Sequence, residues 1–326
     1  MPLTTWEEKV RVYFIIIVVT AFIVGTEAQT PSLVRLGSIA APASTLVANE
    51  QLLIAADGPT MRVITLDNTE SPVTVARYDF TEAVLGLSLT NDLAVLVANS
   101  HDGLRRLDLS DPTAPSLTGH SPTRGQAVGV ASVGSQAFVA DNSLGFDIVA
   151  TSDGLNRIGE YLADGFPRGI AAAGALVFVA DQPNGLVIVD VATPSMPDVV
   201  ATLSLGPDSI TRVVLPSGAS TEDSPPSIAC VVSGRAGLQV VDLSDPTSPV
   251  VAAPIDTRGS PQSVAMRGKQ VYVVSENTLE VFDLTEPSQP ALLTSQALGD
   301  EANQIAVNDE FVFVATSEGI NVFARP

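Results

Sequence analysis

The sequence predicts an all-β protein: a seven-bladed β-propeller of four-stranded antiparallel blades, closed by an N-terminal strand that completes the last blade. Three observations carry this. One phrase recurs seven times at a near-constant period, four strand-like segments fit within each period, and an incomplete unit stands at each end of the chain.

The phrase is Gly-Leu-x-Val-x-Asp-Leu-Ser-Asp-Pro-x-x-Pro. Its fullest copies run from Gly237 to Pro249, Gly185 to Pro197, Gly103 to Pro115 and Thr278 to Pro290. Weaker copies begin at Thr60 and Gly145, and a truncated one begins at Gly319. The starts are spaced by about 42 residues, the length of a propeller blade. The one longer interval contains a polar insert at 217–226.

Within the unit from Ser260 to Gly299, alternation and turn residues define four strands. The first is Ser263 to Met266, turned by Arg267, Gly268 and Lys269. The second is Gln270 to Val274. The third is Leu279 to Leu284, stopped at Pro287, since proline lacks the donor that a ladder needs. The fourth is Ala291 to Ala297. No apolar stripe of helical period accompanies them. The last copy ends after its third strand at Phe323, while Leu33 to Ile39 resembles an orphan fourth strand. Paired, the two complete one blade and hide both sheet edges. Residues 29–326 have room for seven such units in a single domain.

Residues 1–28 read as a secretory signal peptide. Lys9 and Arg11 precede an apolar run from Val12 to Gly25, and the small residues Thr26 and Ala28 mark cleavage near Ala28. The run is shorter than the roughly 20 residues of a membrane-spanning helix, and no cysteine follows it closely enough for a lipid anchor. A secreted, periplasmic or cell-surface protein is therefore expected, without a stable membrane span after cleavage.

Acidic residues outnumber basic ones 36 to 16, for a net charge of -20. That excludes a nucleic-acid binder, which needs a basic surface, and a protein docked on anionic lipid. Cys230 is the single cysteine, so no internal disulfide forms. It lies in the apolar stretch Ile228 to Val232 and reads as a small buried strand residue.

Leu186-Val187-Ile188-Val189-Asp190 spells the pentapeptide that names the LVIVD-repeat family, and the other copies are variants followed by Asp-Pro-x-x-Pro. The chain resembles that family along its whole repetitive region. The resemblance implies a β-propeller of exported or surface-attached prokaryotic proteins without a generally assigned catalytic activity. Thr65, Ala150 and Ala324 depart from it, replacing the aspartate found at Asp108, Asp190, Asp242 and Asp283. These losses argue that the aspartates are turn acceptors rather than ligands.

Signs of chemistry are few. His101 and His120 have no metal-type spacing, and there is no nucleophile elbow, phosphate loop or DxDxDG calcium loop. Trp6 is the only tryptophan and lies in the leader, so the tryptophan docking motifs of a quinone-cofactor propeller are missing. No cofactor is predicted, with Ca²⁺ held by clustered carboxylates as an alternative.

A propeller concentrates ligand contacts on the face where the second-to-third-strand loops and the blade-to-blade loops meet around the channel. The former supply Asp57, Asn99, Asp141 and Asp181, followed by Ser233, Ser275 and Thr316. The latter supply Arg124, Arg168, Arg212, Arg258, Gln262 and Asn303, together with Asp208; Arg168, Gln262 and Asn303 fall at equivalent positions just before the innermost strand. The plainer reading pairs these arginines with nearby carboxylates. The expected function is a monomeric, non-enzymatic module that binds an extracellular or periplasmic protein, peptide or glycan through this face. The alternative is a secreted hydrolase or lyase using channel-mouth carboxylates, with or without Ca²⁺.

Overall fold

The computed structural model describes residues 32–66, 72–152, 154–206, 210–217, 226–234 and 236–326. The expected leader, Asp208, and all of the insert except Ser217 and Pro226 lie outside the described residues. The chain enters on β1 (Val34–Ile39). Blade 1 is β2 (Thr45–Ala48), β3 (Leu52–Asp57), β4 (Thr60–Thr65) and β5 (Val73–Asp79). Blade 2 is β6 (Gly86–Leu89), β7 (Ala94–Ala98), β8 (Leu104–Asp108) and β9 (Ser116–Ser121). Blade 3 is β10 (Ala127–Val133), β11 (Gln136–Asp141), β12 (Gly145–Ala150) and β13 (Asn156–Leu162). Blade 4 is β14 (Phe166–Ala173), β15 (Leu176–Gln182), β16 (Gly185–Asp190) and β17 (Asp198–Leu203). Blade 5 is β18 (Ile210–Val214), β19 (Ile228–Ser233), β20 (Gly237–Asp242) and β21 (Val250–Ile255). Blade 6 is β22 (Pro261–Arg267), β23 (Gln270–Ser275), β24 (Thr278–Asp283) and β25 (Ala291–Ala297). Blade 7 is β26 (Ala302–Val307), β27 (Phe311–Thr316) and β28 (Gly319–Ala324). Each blade is an antiparallel sheet in sequence order, and blade 7 takes β1 as its fourth strand, with Val34 opposite Ala324 and Ile39 opposite Ile320. The expected closure is the observed one.

The second and third strands are predominantly apolar because both faces of each sheet are covered. From Gly185 to Val189 of β16 every residue is buried. The second-strand column of Ile54, Leu96, Phe138, Phe178, Cys230, Tyr272 and Phe313 is buried at every blade. These side chains pack across the blade boundaries: Phe138, Phe146 and Ile148 of blade 3 meet Val177, Val179, Val187 and Val189 of blade 4. Burial pushes the Cys230 thiol well above its ordinary range, so it stays protonated and inert.

Each part of the repeated phrase has a structural reason. Gly185 has φ of +102°, and a Cβ there would lie 2.2 Å from the Leu203 carbonyl oxygen of the fourth strand. Gly319 is the same case at the closure, with φ of +135° and a hypothetical Cβ 2.4 Å from the Ile39 carbonyl. The aspartate at the end of the third strand accepts the amide two residues on: Ser110 to Asp108 at 2.9 Å, Ala192 to Asp190 at 2.8 Å, Ser244 to Asp242 at 2.8 Å and Thr285 to Asp283 at 2.7 Å. Four aspartates thereby begin the turn ahead of the proline-bounded bend.

Two sets of bulges were invisible to the alternation. Every fourth strand skips one residue against its partner: Leu36, Val75, Thr118, Ile158, Val200, Ala252 and Leu293 in turn. β1 obeys the rule of the six internal fourth strands. The first strands of blades 3 to 7 bulge as well, which is why β22 begins at Pro261 rather than at Ser263; Gln262 has no opposite number. At the rim away from the loop face, Arg267 bridges Glu50 at 2.9 Å and Asp309 at 2.6 Å, tying blade 6 to blades 1 and 7. Arg325 adds bonds to the Tyr272 hydroxyl at 2.8 Å and to Gln270 at 2.9 Å.

Two predictions follow from these contacts. Gly319→Ala should lower stability by roughly 1–3 kcal/mol, whereas Gly37→Ala, where a Cβ meets nothing within 4 Å, should stay within about 0.5 kcal/mol; urea unfolding of both variants checks the contrast. Hydrogen bonds from the Ser110 and Ser244 side chains and amides hold Asp108 and Asp242 below the ordinary carboxylate value of 3.8. The folded state thus binds these protons less tightly than the unfolded chain. The stabilisation is present above pH 3.8 and is lost as pH falls through the lower folded values. The double variant Asp108→Asn/Asp242→Asn should therefore show a shallower fall in melting temperature between about pH 5 and 3.

Candidate functional site

The column at the end of the second strands is first of all a latch. Asn99 is fully buried, and its amide donates to the carbonyls of Glu82 at 2.6 Å and Ala83 at 3.2 Å. Asp141, also buried, accepts the Gly125 amide at 2.6 Å and the Ser143 amide at 3.2 Å. Asp181 accepts from the Asn184 side chain at 2.9 Å, and burial pushes its carboxyl up. Ser233 and Ser275 are buried at the same level, and Thr316 donates to the Gly319 carbonyl at 3.0 Å. At Asn99 and Asp141 the contact pins the incoming blade-to-blade loop to the turn beneath it. Asp57 alone stands exposed. Asp57, Asp141 and Asp181 belong to different blades, and no three His, Cys, Asp or Glu side chains gather as a bound cation requires among the described residues.

The arginines divide into two groups. Arg124 pairs with Glu160 at 3.0 Å and Asp147 at 3.4 Å, and Arg157 completes the cluster by pairing with both carboxylates. Asp147 is 1% exposed, and desolvation pushes its pKa up even with Arg157 and Arg124 beside it. Arg258 meets the buried Glu280 at 3.7 Å, and its backbone amide donates to the other carboxylate oxygen at 2.9 Å. These two arginines fasten loops to third strands. Arg168 and Arg212 have no carboxylate partner among the described residues: Arg168 is exposed and donates to Asn142 at 2.9 Å, while Arg212 lines the channel.

The first-strand bulges decide what reaches the channel. The skipped residues are Val128, Arg168, Thr211, Gln262 and Asn303, so Arg168, Gln262 and Asn303 share one register position, and all three are exposed at the channel mouth. One residue further in, the ring reads Thr45, Gly86, Gly129, Gly169, Arg212, Ser263 and Gln304. All of these but Ser263 line a cavity of about 210 Å³. Arg212 thus sits one layer deeper than Arg168, and burial pushes its pKa down.

The sequence reading missed two apolar residues on this face. Leu162 and Phe166, 60% and 52% exposed, flank the turn through Asp164 and Gly165 that leads to Arg168. The available signal was a leucine and a phenylalanine on either side of an Asp-Gly turn in a loop between blades.

The LVIVD repeat family matches at residues 95–123, 164–203, 228–257 and 258–297, which fall in blades 2, 4, 5 and 6. The protein is a seven-bladed β-propeller in which four blades carry LVIVD repeats. Among curated proteins, none matches it. Among solved structures, this propeller is similar to the Cps50 (Swd1) β-propeller domain of Myceliophteria thermophila, at 14% identity and a TM-score of 0.73, covering 90% of this chain and 100% of that one. It is also similar to a chain of the mitotic checkpoint complex, at 13% identity and a TM-score of 0.69, covering 94% and 97%. The computationally designed Ika8 protein matches at 11% identity and a TM-score of 0.63, covering 86% and 83%. At such identities the likeness is one of fold.

Asp141→Ala removes the acceptor of a buried amide and should cost about 1–3 kcal/mol. Asp181→Asn removes a carboxylate whose raised pKa marks its ionised form as unfavourable, so at pH 7 that variant should be at least as stable as the parent. Denaturant melts at pH 7 distinguish the two behaviours.

Proposed function

We propose that this propeller is an exported, non-enzymatic interaction module that holds a protein or peptide partner on the face formed by its blade-to-blade loops. The observation that carries the reading is the exposure of Leu162 and Phe166 on the blade-to-blade loop that leads to Arg168 at the channel mouth. Phenylalanine and arginine are enriched in protein interfaces, and here an exposed ring accompanies a guanidinium that has no carboxylate partner among the described residues. Gln262 and Asn303 extend the same rim with uncharged hydrogen-bonding groups. Much of the carboxylate chemistry expected of a hydrolase is already committed: Asp141 to loop amides, Asp147 and Glu280 to arginines. The leader-like first 28 residues support export. No helix among the described residues is long and apolar enough to cross a membrane.

The test is affinity capture from native extracellular or periplasmic material, with the partner confirmed by direct titration against purified protein. Phe166→Ala and Arg168→Ala should each weaken binding roughly 10-fold or more while leaving the melting temperature unchanged. A partner that binds both variants as well as the parent, or a glycan fraction that competes fully, would overturn the assignment.

A further inference from the structure

Of the two arginines that line the central channel, the deeper one, Arg212, meets no carboxylate among the described residues. Arg212 projects from β18 into the cavity of about 210 Å³, room for about seven waters at roughly 30 Å³ each. Arg212 is half-buried, burial pushes its pKa down, and no carboxylate or hydrogen-bond acceptor meets its guanidinium among the described residues. Among the described residues no aspartate or glutamate lines the cavity, although the chain as a whole carries a net charge of -20. A desolvated guanidinium without a partner is unfavourable and is relieved by an anion.

The rest of the ring suits that anion. The carbonyl oxygen of the Gln304 side chain accepts the Ser263 hydroxyl at 3.0 Å, which leaves the Gln304 NH₂ group as donor to the cavity it lines. Thr45 adds a hydroxyl, and Arg168 stands one layer above at the mouth. At the Arg212 register position, blades 2, 3 and 4 carry Gly86, Gly129 and Gly169. A Cβ at Gly86 would lie 2.9 Å from the Gly129 Cα and one at Gly169 3.1 Å from the Arg212 Cα. These glycines therefore let the first strands of blades 2 to 5 approach closely and add no side chain that competes for the guanidinium. One deep planar fork among neutral donors matches a carboxylate in shape and charge.

We propose that this cavity binds a small carboxylate anion, gripped by the guanidinium of Arg212 and completed by donors from Gln304 and Thr45. A second carboxylate on the same molecule would reach Arg168. The site shares only Arg168 with the loop-face partner surface, so loss of partner binding in Phe166→Ala leaves the grip of Arg212 and Gln304 untouched.

The experiment is a thermal-shift and calorimetric titration of the whole propeller in carboxylate-free buffer with acetate, succinate, citrate, phosphate and sulfate. Carboxylates should raise the melting temperature in a saturable manner. Arg212→Gln should weaken binding at least about 10-fold and, having lost an unanswered charge, should melt without ligand at or above the parent's temperature. Gln304→Glu, which sets an internal carboxylate in the same cavity, should also abolish the shift and serves if Arg212→Gln fails to fold. Carboxylates that leave the parent unshifted, that shift Arg212→Gln equally, or that are outdone by phosphate and sulfate would overturn the proposal.

Discussion

The structure depends on burying both faces of every blade at once. A four-stranded sheet whose second and third strands are apolar on both sides has no stable existence alone, and each blade obtains its cover from its two neighbours. Such a ring has no tolerable end. The first and last blades must meet, and the chain arranges this by splitting blade 7 between its two extremes, β1 and β28. The closure is reinforced where it is needed. Arg267, Arg325, Glu50 and Asp309 link blades 6, 7 and 1 at the rim, and Ile39, Phe313 and Ile320 share one core with blade 1.

That constraint explains how side chains were allocated between structure and surface. A position facing another blade is apolar or internally paired, as with Asp147 between Arg124 and Arg157. Only loops and first-strand bulges are free to vary, so the residues that differ most between blades collect around the channel. There the ring departs from repetition: three glycines on one side, an arginine and a glutamine among the others. Symmetry in the core and asymmetry at the centre follow from one cause.

Much of this was legible in the sequence because repetition multiplies a weak signal. Seven copies located the blades, the orphan strand from Leu33 located the closure, and the aspartate ahead of four proline bends announced its turn. Single-residue events were not legible. A bulge shifts a strand by one residue without altering composition, so β22 was expected to begin at Ser263 and the inward ring at Arg212 could not be separated from its neighbours. The fate of each arginine was also hidden, because Arg124 and Arg258 find their carboxylates on third strands far along the chain. The Phe166 and Leu162 patch was missed because an apolar residue in a loop looks like a frayed strand end until its exposure is known.

The pairing of β1 with β28 has a geometric corollary. Ile39 and Ile320 lie at the loop-face end of that ladder and Val34 and Ala324 at the opposite end, where both strands leave the ring. A polypeptide tether joined to either strand therefore departs from the underside. Anchored through either terminus to a cell wall, a fusion partner or a sensor chip, the propeller would present its channel mouth outward, away from the support.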